Sequence, residues 1–152
     1  MNFEQRCRLA VARDQLWDFL TNVPDMAGCV PGADQLTAKH DGAGEQYTGQ
    51  LRVKVGPIGL RLQGVMTVRE KNRHAWRIVS QAEARDRRVG GGVFLTVRMT
   101  LDETDSDATE LRIVSEVRLM GKLGEFGQAV IRRKADRLVA EFARNVTARF
   151  GP

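Results

Sequence analysis

The chain has 152 residues, 42% of them hydrophobic, with 2 cysteines, 2 histidines and a formal charge of +5. Residues 1–152 read as one domain with a substantial core; no stretch nears the roughly 20 apolar residues that cross a bilayer, and MNFEQRCRLAV lacks a secretory apolar run, so a cytoplasmic location is expected. The charge invites a nucleic-acid reading, but its distribution argues against one: Arg52, Lys54, Arg61, Arg69, Arg77, Arg98, Arg112 and Arg118 alternate with apolar neighbours and are interleaved with Glu70, Glu103, Glu110 and Glu116, as on a solvated sheet face.

Phe3, Cys7, Leu9 and Val11 share one parity and predict a strand. Asp14 is then placed to cap a short helix carrying Leu16, Trp17, Phe19 and Leu20, and Pro24-Asp25 to start a second helix that stops at Pro31-Gly32. Cys7 and Cys29 lie on different elements at no metal-ligand spacing, which favours reduced, buried thiols. Residues 33–39 read as a weak strand and Asp41-Gly42-Ala43-Gly44 as a turn.

The clearest pattern follows. Leu51, Val53 and Val55 alternate with Arg52 and Lys54; Leu60, Leu62, Met66 and Val68 alternate with Arg61, Gln63, Thr67 and Arg69; a four-residue hairpin, Gly56-Pro57-Ile58-Gly59, joins the two runs. Gly49 and Gly64 fall inside these strands, where glycine marks a bend or a close backbone approach, and a strongly curved sheet is the simplest reading. Trp76 and Ile78 define another strand. The polar segment Glu83 to Arg88 and the triple glycine 90–92 follow, read as an ordinary hairpin connection with a gating loop as the alternative. Leu95, Val97, Met99 and Leu101 pair in parity with Leu111, Ile113, Val117 and Leu119 across an acidic turn, Asp102 to Asp107. From about Lys122 the period becomes 3.6: Leu123, Phe126, Val130, Ile131, Leu138, Val139, Phe142, Val146 and Phe150 form one stripe of a helix of about 28 residues, roughly 40 Å long.

The expected architecture is α+β: six or seven curved antiparallel strands wrapped on a long C-terminal helix, with two short helices after the first strand. One helix over a curved sheet encloses an apolar hollow, and the residues expected to line it are Trp17, Leu51, Val53, Leu62, Met66, Trp76, Leu95, Met99, Phe126 and Val130. His40 and His74 sit beside turns, and neither has an adjacent ligand partner. No nucleophile elbow, Cys-X-X-Cys, His-Glu-X-X-His or phosphate loop is present. Ser80 and Ser115 are the polar exceptions on inward parity, so no catalytic residue, metal ligand or cofactor is assigned.

Leu16-Trp17-Asp18-Phe19-Leu20, Cys29-Val30-Pro31-Gly32-Ala33, Tyr47-Thr48-Gly49, Val53-Lys54-Val55-Gly56-Pro57-Ile58, Gly64 with Glu70, and Gly121-Lys122-Leu123 through Gly127 run in order over nearly the whole chain. In these motifs the sequence resembles the carbon monoxide dehydrogenase G-subunit family of the START and birch-pollen-allergen helix-grip superfamily. The resemblance implies a non-catalytic accessory protein with a hydrophobic cavity for a quinone or lipid-like molecule, a molybdenum hydroxylase as partner and peripheral contact with the inner membrane face. Many members of that family continue through a proline-rich linker to a hydrophobic or amphipathic terminal helix, whereas this sequence runs to Phe150-Gly151-Pro152. Two other readings stay open. One is a cyclase, aromatase or hydrolase on the same scaffold, for which Tyr47 and Arg98 are the candidates if the strand register slips by one residue. The other is an interaction module whose interior is filled by its own side chains.

Overall fold

The computed structural model describes residues 1–39 and 44–151; His40 and all but the last residue of the expected Asp41-Gly42-Ala43-Gly44 turn lie outside them. Alternating side chains give antiparallel strands β1 (Asn2–Leu9), β2 (Ala33–Lys39), β3 (Gln46–Val55), β4 (Ile58–Asn72), β5 (Arg77–Asp86), β6 (Gly91–Asp105) and β7 (Ala108–Gly121). They form one 7-stranded sheet in the order β1-β7-β6-β5-β4-β3-β2. Two short helices, α1 (Arg13–Thr21) and α2 (Val23–Ala27), follow β1; a 3₁₀ turn (Lys122–Glu125) and α3 (Gln128–Phe150) close the chain. This is the helix-grip arrangement expected from the alternation and the terminal stripe.

Several boundaries differ from expectation, each for a local reason. The β3–β4 hairpin turns on two residues, because Val55 already faces Ile58 and Gly56 takes the left-handed φ of 58° that so tight a turn needs. Asp14 is not the cap of α1: Ala12 holds that position, and Asp14 sits in the first turn, where its carboxylate accepts from the Gln15 N–H. Asn22 caps α2 by accepting from the Asp25 N–H, and that helix ends at Ala27, before Pro31-Gly32. Trp76 belongs to a turn at φ 52°, not to a strand. The polar segment 83–88 mostly extends β5, and the first acidic residues after Leu101 extend β6. The terminal helix is 23 residues, about 35 Å, because Phe126 and Gly127 are extended and separate α3 from the 3₁₀ turn.

Two apolar clusters hold the grip together. One packs α1 and the end of α3 (Phe142, Val146) against Ile78, Met99, Leu101, Leu111 and Ile113. The other gathers Val55, Leu60, Leu62 and Leu123 at the hairpin end, with Val53, Phe126, Val130 and Ile131 packed around them. The principal backbone approaches of α3 are to β1 and β3, so the helix bridges two margins of a curved sheet. Beyond the Ala33↔Leu51 pair, the Gly32 carbonyl just before β2 accepts from the Arg52 N–H; residues 53–55 then pair with β4 alone among the described residues.

Candidate functional site

Between the two clusters lies a row of cross-strand partners that belongs to neither. Tyr47 faces Met66, Met66 faces Ala82, Ala82 faces Leu95 and Leu95 faces Val117, so one line of side chains crosses five strands on the inner wall. All five residues stay half-buried, as do Ala135 and Leu138 of α3, although sheet and helix cover one another. Side chains of a sealed core would lose that exposure. The inner wall is therefore partly accessible along this row.

The ten residues read from the sequence divide into three groups. Met66 and Leu95 lie in the accessible row. Leu51, Val53, Leu62, Phe126 and Val130 belong to the hairpin-end cluster, with Leu62 buried and the others half-buried. Trp17 and Met99 are buried in the other cluster. Trp76 lies at that cluster's margin: its ring stands edge-on to Trp17 at 5.8 Å, and the guanidinium carbons of Arg13 and Arg73 lie 4.1 and 3.6 Å from its centroid. The triple glycine is an ordinary hairpin: residues 87–90 form the turn, and Gly91 and Gly92 are already paired in β6. Cys29 is buried and Cys7 half-buried, both as free thiols that burial pushes up from the ordinary cysteine value. Among the described residues no group of three or more His, Cys, Asp and Glu side chains could hold a metal, and no helix is long and apolar enough to cross a membrane.

Sequence reading missed a polar group at one end of the row. Tyr47 shares the parity of Leu51 and Val53, so it needs no slip of register to face inward, whereas Arg98 stays on the exposed face. A bulge between Val68 and Glu70 then flips the parity of β4, setting Lys71 opposite Ile78 on the inner side. The Tyr47 hydroxyl donates to Glu45 Oε2 at 2.6 Å, and Lys71 Nζ reaches Glu45 Oε1 at 2.7 Å and the Thr21 carbonyl at 2.8 Å. Burial alone would raise the Glu45 carboxyl; the hydrogen bonds from Lys71 and Tyr47 outweigh it and hold that group below its ordinary value. Burial, followed by the Glu45 hydrogen bond and charge, pushes the Tyr47 phenol up to about 12. Tyr47 is the single tyrosine in the sequence, so its titration can be followed directly by ultraviolet absorbance near 295 nm. A midpoint near 12 is expected, falling in Glu45→Gln because the carboxylate charge is gone. Coincident curves for the two proteins would mean that the phenol and Glu45 are not in contact.

The family model for the carbon monoxide dehydrogenase G-subunit, CoxG, matches residues 6–151. Among solved structures, a conserved protein from Geobacillus kaustophilus superposes with a TM-score of 0.84 at 15% identity, covering 98% of this chain and 94% of that one. A START superfamily protein from Mycobacterium smegmatis gives 0.64 at 11% identity over 97% and 95% of the two chains. The Zhui aromatase/cyclase from Streptomyces sp. R1128 gives 0.60 at 16% identity over 97% and 89%. At these identities the likeness to the solved structures is one of fold. No curated protein matches the chain in sequence.

Proposed function

This chain belongs to the carbon monoxide dehydrogenase G-subunit (CoxG) family, and from that premise we propose that residues 1–152 form a single helix-grip unit that binds an apolar small molecule and serves a partner enzyme as an accessory protein. The observation that carries the reading is the half-buried row Tyr47, Met66, Ala82, Leu95 and Val117 on the inner wall of the sheet, a largely apolar surface left partly uncovered. A quinone or lipid-like molecule suits it: a flat or flexible apolar body against Met66 and Leu95, and one polar atom toward the Tyr47 hydroxyl. The family supports a molybdenum hydroxylase as the partner, reached from the cytoplasm or the inner membrane face. Leu51, Val53, Phe126 and Val130 extend the lining toward the hairpin end, while Trp17, Leu62, Trp76 and Met99 brace it.

The test fills the row. Ala82→Phe adds a ring between Met66 and Leu95 and is expected to weaken binding of a short-chain ubiquinone analogue at least about tenfold, with thermal stability held or raised. Measured by quenching of intrinsic tryptophan fluorescence, unchanged affinity in the folded variant would remove this row from the site. A second reading, an enzyme of the aromatase or cyclase kind, is favoured by the Tyr47–Glu45–Lys71 cluster. A phenol that stays protonated to about 12 can donate a hydrogen bond to a carbonyl at neutral pH, with Lys71 and Glu45 fixing its direction.

A further inference from the structure

The first half of α3 and the end of β3 enclose a cleft of about 480 Å³ lined by Lys54, Gly56, Val130, Arg133, Lys134 and Arg137. Four of these six residues are cationic and none is acidic, whereas many bases elsewhere in the chain are paired. Arg6, Arg8, Lys71, Arg77, Arg88 and Arg112 each meet a carboxylate, and Arg13 and Arg73 lie over Trp76. Among the described residues Lys54, Arg133, Lys134 and Arg137 have no such partner, and Lys134 is half-buried. Like charges gathered in one concavity repel each other and focus a positive potential into it. The nearest carboxylate along the helix, Asp136, is turned away and accepts from Gln5 of β1 at 3.0 Å. Val130 belongs to this cleft and also packs on the hairpin-end apolar cluster with Val53 and Phe126, so cationic and apolar surfaces adjoin.

We infer that this cleft is the seat of an anionic headgroup, and that the molecule held by the grip is a single-chain amphiphile ending in a phosphate. The inference rests on the apolar-ligand reading above and specifies its ligand. Arginine forks at positions 133 and 137, one helical turn apart, match the oxygens of a phosphate, Lys54 closes on it from the strand side, and the hydrocarbon chain leaves past Val130 toward the interior.

The test compares dodecyl phosphate, dodecanol and inorganic phosphate by isothermal titration at low salt, below micelle formation. Dodecyl phosphate is expected to bind about tenfold more tightly than dodecanol. Arg133→Gln with Arg137→Gln, and separately Lys54→Gln, should erase or shrink that ratio while dodecanol affinity holds, which also reports that each variant is folded. Equal affinities for the two chain compounds, or a ratio that survives both variants, overturns the headgroup site and leaves the apolar site standing. Inorganic phosphate binding as tightly as dodecyl phosphate overturns the amphiphile and leaves only a small-anion cleft. If neither chain compound binds while the ubiquinone analogue does, this inference falls and the apolar-ligand reading stands; if none of the three binds, both fall.

Discussion

Gly64→Ala is expected to destabilise the protein by about 3 kcal/mol or more, since overpacking against backbone leaves nothing that can rotate aside. A Cβ at this position would lie 1.9 Å from the Glu83 carbonyl oxygen and 2.6 Å from Ala84 Cα, both main-chain atoms of the neighbouring strand β5. Gly64 also faces Gly49 across β3, so two strands in succession lack a side chain where the sheet curves. The accommodation open to alanine is separation of β4 from β5 beside the Met66–Ala82 pair, which would widen the inner wall as well as weaken it. Gly59→Ala is the matched control: a Cβ there meets nothing within 4 Å, and its effect should stay within about 0.5 kcal/mol. Urea denaturation of the two variants decides the matter, and equal midpoints would mean that β4 and β5 are not in this contact.

Removal of the Asp86 carboxylate should cost a comparable amount, about 3 kcal/mol, because each buried N–H left without an acceptor costs roughly 1–3 kcal/mol. Asp86 is 2% exposed and accepts from the backbone N–H groups of Arg61 at 2.8 Å, Arg88 at 2.9 Å and Val89 at 3.3 Å, with the Arg88 guanidinium at 3.3 Å. Led by the Arg61 N–H, these donors lower its carboxyl from 3.8 to about 2 despite burial. The sign follows from linkage: a group whose folded value is depressed contributes stability above its unfolded value and loses it as pH falls through the folded one. The gap between wild type and Asp86→Ala should thus be full at pH 7, shrink below about pH 4 and be smallest near pH 2. A gap that does not depend on pH would show that Asp86 acts by packing and not by charge.

The parts of the fold legible in the sequence were those with a long, uninterrupted period. Leu51 to Val55 and Leu60 to Met66 show their inner face by alternation alone, and Leu138 to Val146 show the helix. The site was harder to read, for three physical reasons. The bulge at Val68–Glu70 carries no residue that announces it, yet it alone turns Lys71 inward to meet Glu45. Trp76 looks like a strand residue by type, but its turn places it in the left-handed region on the rim of the core. The cationic cleft joins Lys54 to residues about 80 positions later, a proximity set by α3 crossing to the β3 margin. Tyr47 was recoverable by counting parity from Leu51, and Ala82 by extending the apolar parity of its strand to a small residue; Val117 already stood on the apolar parity of its strand.

The short stretch of β3 past Leu51 has one further consequence. Peptide groups left open along a strand's rim are a template on which a second molecule can add its own strand, the first step toward fibrous aggregates. The open rim of β3 is residues 53–55; it is flanked by Arg52 and bears Lys54, and Pro57, which has no N–H to donate, sits in the turn just beyond it. Two identical copies approaching rim to rim would bring these bases together and repel. The same lysine that makes the neighbouring concavity positive therefore also opposes strand addition along this part of the sheet margin.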